Sequence, residues 1–326
     1  MMYGIAFAIV FALAMILMPL LSKFAAKIDF TDKPTERKKH EFPVPLTGGI
    51  VMFISMTVGI LFFVLIPERT NHESTNIALW AVLGGAVMIV AVGLVDDFSK
   101  ARFKEFPVLP RLLVQIGAAS LAFAAGIRFT GFTNPFNDMY VQLPLSLQFV
   151  LTVLWFVGLI TAFNFMDGLD GLSGLLALGS GITFFVVALA MNQPESALIA
   201  AVFVAAVMGF LRFNLPPARV YMGDSGAYLL GYMLAAISLH GVFKQATVIS
   251  LTIPMLAMGV PIFDSILVVV RRIMAKKPAH IADSSDVTHI HFRLLKNGVK
   301  PAHAVLIIFL FSACLNLTSI ILLLAF

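Results

Sequence analysis

Asp167 and Asp170 stand in the stretch NFMDGLDGLSG, flanked by Gly168 and Gly171, directly after the apolar run FVLTVLWFVGLITAF. Other polar residues with chemical potential sit in similar places. DDFSK holds Asp96, Asp97 and Lys100, RFNLPPARVYMGDSG holds Asn214 and Asp224, and THIHFRLLKNG holds His289 and His291. PIFDSILVVVRR places Asp264 seven residues before Arg271, a spacing that returns to the same helical face. Each has a plain reading taken alone, as a helix cap, a solvated helix end or a solvent-facing loop. Asp264 resists that most, because an acid at the centre of a spanning helix costs about 2.5–3.5 kcal/mol on insertion scales. Read as helical, Asp167 and Asp170 share one face with Cβ atoms roughly 5–6 Å apart. Such carboxylates suit Mg²⁺, which takes a few protein oxygens plus substrate phosphates and water, with Mn²⁺ an acceptable substitute. Basic side chains nearby suit phosphate. The chemistry indicated is phosphoryl transfer on a nucleotide next to lipid headgroups, where positioning and charge neutralisation do most of the catalysis.

The elements that must position these groups are membrane helices. The chain of 326 residues is 60% hydrophobic and 12% charged, with a mean hydropathy of +0.98. Soluble domains are nearer 45–50% apolar and roughly 25% charged. One cysteine, Cys314, excludes a disulfide or cysteine–zinc framework within a chain. The N-terminal run lacks a basic n-region and is read as a first spanning helix rather than a signal peptide. Ten stretches approach the ~20 residues a span requires. They lie near 3–22, 47–66, 77–95, 110–127, 145–163, 172–191, 197–212, 225–243, 246–270 and 302–325. Of the 22 Lys and Arg, all but Arg69, Arg128 and Lys244 then fall in the odd-numbered connections. The positive-inside rule makes those connections cytoplasmic and puts both termini outside. The cytoplasmic loops expected are 23–46, 96–110, 164–171, 213–224 and 271–301, and every acid named above lies at that face. The basic connection KPTERKKHEFP anchors to anionic lipid or contacts a substrate phosphate, and His280 receives no role. A transporter or proton relay also carries intramembrane acids, but nearer mid-membrane and reachable from both sides. A scaffold for an envelope complex would tolerate loss of Asp96, Asp97 and Asp224 together.

Taken in order, DDFSK, NFMDGLDG, the Asn214 motif, MGDSG, PIFD and the His-containing loop resemble the polyprenyl-phosphate N-acetylhexosamine-1-phosphate transferases, of the glycosyltransferase 4 type. The likeness runs from DKPTERKKHEFPVPLTGG to HIHFRLLKNG. PIFD…RR and HIH resemble the GlcNAc-1-phosphate branch more than the branch that loads phospho-MurNAc-pentapeptide. The resemblance implies an all-α polytopic membrane protein, one integral-membrane transferase domain over 1–326, with its active site on the cytoplasmic face of the bacterial inner membrane. It implies transfer of N-acetylhexosamine 1-phosphate from a UDP-sugar to undecaprenyl phosphate, releasing UMP and initiating O-antigen, common antigen or teichoic acid synthesis. A MurNAc-pentapeptide or another UDP-sugar is the alternative donor. By the same resemblance Asp224 is the Mg²⁺ ligand and Asp96, Asp97 and Asp264 are catalytic, Asp96 being the favoured proton acceptor. Lys100, Asn164, Asp167, Asp170, Asn214, Arg271, His289 and His291 are expected to bind substrate. UDP-N-acetylhexosamine, undecaprenyl phosphate and the bilayer are the partners expected; a homodimer is compatible with this, and nucleic acid is not a partner. One departure concerns the sugar: the branch usually reads H-[IL]-H-H, and Phe292 stands at the last position here.

Overall fold

A computed structural model describes residues 2–33, 43–64, 73–102, 106–134, 137, 139–241, 248–274 and 289–325. Most of KPTERKKHEFP and the stretch containing His280 lie outside these residues. The helices up to the first acidic motif are α1 (Met2–Lys27), α2 (Gly48–Val64) and α3 (Glu73–Ala101). Then come α4 (Val108–Ala124), α5 (Leu145–Met166), α6 (Leu172–Ala190), α7 (Pro194–Asn214) and α8 (Gly223–His240). The chain closes with α9 (Val248–Ala257), α10 (Gly259–Met274), α11 (Ile290–Lys296) and α12 (Pro301–Ala325). Two antiparallel pairs of short strands accompany them. β1 (Thr31–Asp32) pairs with β2 (Val44–Pro45), and β3 (Gly131–Thr133) with β4 (Tyr140–Gln142).

Among the described residues six helices are long and apolar enough to cross a membrane: α1, α3 from Ile77, α5, α6, α7 and α12. α2 and α4 are apolar but shorter. The ten expected stretches therefore all become helical, but not as ten uniform spans. The ninth, 246–270, is corrected to two helices. Pro254 and Pro261 stand within it, and the ladder breaks at Ala257 O, whose partner would be the N–H that Pro261 lacks, with Met258 as the turn residue between α9 and α10. A proline removes one N–H donor and clashes with the preceding turn. α1 and α3 also run past their apolar cores to Lys27 and Ala101, so the loops expected to begin at 23 and 96 begin later. Apolarity marks where lipid ends, and Lys and Ala go on favouring the helix beyond it.

α8 lies at the centre, with nearly every side chain buried, packed against α3, α5, α2 and α6. An all-round apolar helix needs all-round neighbours. Contact is close: a methyl at Gly93 would collide with the Ser225 backbone, and one at Gly49 with that of Gly226. α7 is similarly enclosed by α6, α1 and α2. α1 and α12 instead expose large apolar side chains, among them Ile16, Leu20, Phe24, Leu306, Phe311 and Ile321. Extensive exposed apolar surface of this kind is what a bilayer covers.

The N-terminus of α8 is fixed by its neighbours. The first-turn N–H groups of α2 have no partner within that helix. Gly48 N donates to Tyr221 O and Gly49 N to Met222 O, each at 3.0 Å. Tyr221 N donates to Pro45 O at 2.9 Å, tying β2 to the same segment. The ends of the N-terminal basic connection are thus tied beside the residues that carry Asp224.

Candidate active site

The C-terminal turns of α3 and the first turn of α8 bring four expected residues together. Lys100 pairs with Asp224, and its Nζ stands 3.9 Å from Asp96 Oδ1. The Asp96 and Asp224 carboxylates adjoin each other. Asp97 Oδ1 accepts the Asp224 N–H at 2.6 Å, and its Oδ2 accepts the Ser225 N–H at 3.1 Å. These are orphan donors of the first turn of α8, so Asp97 caps that helix from a distance of more than a hundred residues in sequence. Gly223 precedes Asp224 with φ of +69° and lies against the Asp97 carboxylate, a place without room for a side chain.

Two residues join this cluster that the sequence reading left out of the site. Arg111, in the first turn of α4, donates through one guanidinium nitrogen to Asp96 Oδ2 at 2.8 Å and to the Tyr228 hydroxyl at 3.1 Å. The Tyr228 hydroxyl donates to the same Asp96 oxygen at 3.0 Å. Tyr228 stands four residues after Asp224, hence on the same face of α8, a spacing that would have flagged it. Arg111 offered only a charge at the edge of an apolar run. Asp96 Oδ1 is buried and has no hydrogen-bond partner among the described residues.

The α5–α6 connection supplies the next group. Residues 167–171 form turns, not a helix, so the shared helical face expected for Asp167 and Asp170 is corrected. Asp167 caps the end of α5, and Gly171, with φ of +78°, reverses the chain into α6. Ser173 donates to Asp167 Oδ1 at 2.8 Å. Ala218 N donates to Asp170 Oδ2 at 3.0 Å. Burial raises the Asp167 carboxyl to about 7, Asp224 and Asp170 pushing the same way and Ser173 and Lys100 opposing. Tyr221 is raised as well, by burial and then by Asp170, Asp32 and Asp167. Asn214 is buried and fully used inside the protein. Its Oδ1 accepts the Gly171 N–H at 3.0 Å and its Nδ2 donates to Val220 O at 2.8 Å. It staples the α5–α6 turn to the segment before α8. Asn164, in the last turn of α5, makes no side-chain hydrogen bond among the described residues.

A second cluster faces that turn. Asp264 of α10 meets His289 and Ile290 at the start of α11, and His291 Nε2 packs against Gly168. The two imidazoles stack with centroids 5.7 Å apart and 17° between planes, and Phe165 closes in on His289 at 4.9 Å. Burial lowers His291 to about 4, His289 adding to it and Asp264 opposing. Phe292 lies against His291 at 4.2 Å. Arg271 is not brought in by any hydrogen bond or ion pair among the described residues, although it shares a helix with Asp264.

The donor set fits a divalent cation. Asp96, Asp97, Asp167 and Asp224 carry four potential negative charges, against the two cations Lys100 and Arg111. Buried charge without compensation is costly, so this excess, with the orphaned Asp96 Oδ1, fits a site completed by a positive ion. Among the described residues no three His, Cys, Asp or Glu side chains form a ready-made cage. Mg²⁺ does not need one, because it binds through one or two carboxylates with phosphates and water.

Residues 79–242, which include most of α3 and all of α4 to α8, match the profile of glycosyl transferase family 4. The chain is 33% identical over 318 residues to a probable undecaprenyl-phosphate N-acetylglucosaminyl 1-phosphate transferase of Bacillus subtilis (strain 168), covering 98% of this chain and 84% of that one. It is 31% identical over 311 residues to a decaprenyl-phosphate N-acetylglucosaminephosphotransferase of Mycobacterium leprae, covering 89% and 76%. A phospho-N-acetylmuramoyl-pentapeptide-transferase of Bacillus cytotoxicus is 29% identical over 299 residues, covering 89% and 88%. The likeness to the GlcNAc branch expected from PIFD and HIH is thereby borne out. The chain belongs to glycosyl transferase family 4.

Proposed function

We propose that this protein transfers GlcNAc 1-phosphate from UDP-GlcNAc to undecaprenyl phosphate and releases UMP. The observation that carries the reading is the convergence of Asp96, Asp167 and Asp224 with Lys100 and Arg111, in a chain whose relatives are named for that transfer. The positive-inside pattern supports a cytoplasmic site in a bacterial inner-membrane protein with both termini outside. The product would be the first lipid-linked sugar of an envelope polysaccharide, whether O-antigen, common antigen or teichoic acid.

Two anions must meet in this reaction, the lipid phosphate and the nucleotide diphosphate. Asp224 would hold Mg²⁺, or Mn²⁺ in its place, with Asp167 the nearby carboxylate best placed to assist. The ion, when bound, would offset phosphate charge as UMP departs. Lys100, half-exposed beside Asp224, reaches the same place and would hold a phosphate. A phosphate monoester has its second pKa near 6, so the lipid phosphate is mostly ionised at pH 7. It therefore needs little help from a base, and direct attack of its oxygen on the β-phosphorus is the favoured route. Asp96, gripped by Arg111 and Tyr228, orients Lys100 and the phosphate and accepts the remaining proton. Fixed charges in such a water-poor setting are worth more than in bulk.

Purified protein in detergent, undecaprenyl phosphate, Mg²⁺ and a panel of UDP-sugars test the reading, with UMP as readout. UMP is expected with UDP-GlcNAc and not with UDP-MurNAc-pentapeptide. Asp224→Asn is expected to abolish Mg²⁺-dependent release, and near-normal turnover in that variant would sink the metal assignment.

A further inference from the structure

Asp264 was expected to be catalytic, yet its carboxylate is spent inside the protein. Its Oδ2 lies 2.6 Å from His289 Nδ1, and its Oδ1 accepts the Ile290 N–H at 2.8 Å. Both side chains are buried, His289 completely. An ionised carboxylate only accepts, so Nδ1 carries the proton in that bond. The other ring nitrogen, Nε2, is then set by default. It is buried and has no partner among the described residues, as is true of both nitrogens of the stacked His291. Buried polar atoms are almost always paired in native proteins. The orphaned nitrogens of two stacked imidazoles, with His291 Nε2 against Gly168, therefore mark ground that a ligand completes.

We propose that Asp264 is a positioning residue acting through His289. It fixes the ring's Nδ1–H and tilt so that Nε2 faces the nucleotide-sugar diphosphate. No bond to phosphorus forms or breaks at either residue. The same carboxylate holds the Ile290 backbone, so one acid sets both the ring and the start of α11. His291, which has no carboxylate partner, stays neutral beside it. The proposal rests on the transferase reading for the identity of the ligand, and its geometry rests on the Asp264–His289–Ile290 contacts alone.

A double-mutant cycle tests it, with Asp264→Asn, His289→Gln and the double variant. Two readouts are taken in parallel: UDP-GlcNAc binding by calorimetry, and steady-state turnover split into kcat and the KM values of both substrates. If Asp264 works only through His289, each single change weakens UDP-GlcNAc binding by a similar factor, about 10- to 100-fold. The double variant then loses no more than either single one, and the KM for undecaprenyl phosphate stays unchanged. A merely structural role would lower thermal stability without that substrate-selective split. Multiplying losses in the double variant, or a loss confined to kcat, would overturn the proposal and return Asp264 to the reacting atoms. Wild-type protein that binds UDP-GlcNAc but releases no UMP would sink the transferase reading while leaving the binding cycle readable.

Discussion

Asp97→Asn separates the catalytic role expected of Asp97 from the capping role its contacts give it. The carboxylate takes two backbone N–H groups, those of Asp224 at 2.6 Å and Ser225 at 3.1 Å. An amide keeps one accepting oxygen and turns an NH₂ toward the other donor. One hydrogen bond to a charged group is lost, worth roughly 1.5–3 kcal/mol. Loss of the negative charge at the N-terminus of α8 costs a further ~0.3–1 kcal/mol. Removing a buried charge beside Asp224 works the other way. The net expectation is destabilisation of about 1–3 kcal/mol, read as a fall of a few degrees in thermal midpoint. The more telling effect is on Asp224, whose backbone is released. The Mg²⁺ concentration giving half-maximal UMP release should rise about tenfold, equivalent to ~1.4 kcal/mol of lost positioning. Saturating Mg²⁺ should restore much of the activity. The reasoning fails if the variant keeps its thermal midpoint and its Mg²⁺ response while kcat alone falls a hundredfold or more. That pattern belongs to a group acting in the chemical step.

Arg111→Met keeps an unbranched apolar stem but strips Asp96 of its guanidinium; breaking a buried pair from one side costs about 3–5 kcal/mol. Thermal denaturation should show much of that loss recovered in the double variant Arg111→Met/Asp96→Asn, and no recovery would refute the pairing as the cause. Ser180 Oγ donates to Ala257 O at 2.7 Å, the carbonyl whose helical partner would be the N–H that Pro261 lacks. Ser180→Ala should therefore cost ~0.6–2 kcal/mol in thermal stability, the lower end reflecting measured interhelical bonds in membranes, and an unchanged midpoint would count against this brace. Asp167 gives a pH test in chelator without substrates. Its folded value, raised to about 7, means that the stability present below its unfolded value near 3.8 is lost as pH rises through 7. Asp167→Asn should then gain stability over wild type by roughly 2 kcal/mol more at pH 8 than at pH 5, whereas an equal difference at both would show that the carboxyl is not raised.

Much of the site was legible because its residues are of unusual type for their surroundings. Acids at the ends of apolar runs announce themselves, although α3 runs on to Ala101 and carries Asp96 and Asp97 within its last turns. What escaped the reading is long-range. Nothing near Arg111 says that it will grip Asp96, because the contact depends on α4 packing against α3. Nothing near Asn214 says that its amide will be consumed by Gly171 and Val220. Two errors had local signals that went unused. Gly168 and Gly171 argued against the shared helical face read for Asp167 and Asp170, since Gly171 adopts a positive φ. Pro254 and Pro261, seven residues apart, argued against one ninth helix.

The positions of the oxygens sort the acids better than the motifs do. Asp97 and Asp264 have both carboxylate oxygens committed to protein N–H groups, and Asn214 has both ends of its amide committed. These groups set the pose of others: the start of α8, the ring of His289 and the α5–α6 turn. Asp224 engages Lys100 through Oδ2 and Asp167 engages Ser173 through Oδ1, and the buried Asp96 Oδ1 has no hydrogen-bond partner among the described residues. A ligand ion or phosphate can only be met by groups with capacity left to meet it. The two cations divide in the same way. Arg111 is 12% exposed and fixed by two partners, whereas Lys100 is 50% exposed on a flexible stem. A planar guanidinium holds a carboxylate in one place, while an ammonium on four carbons can follow a moving phosphate. The arrangement therefore puts rigidity beneath Asp96 and freedom above Asp224, where the substrate's charges would arrive.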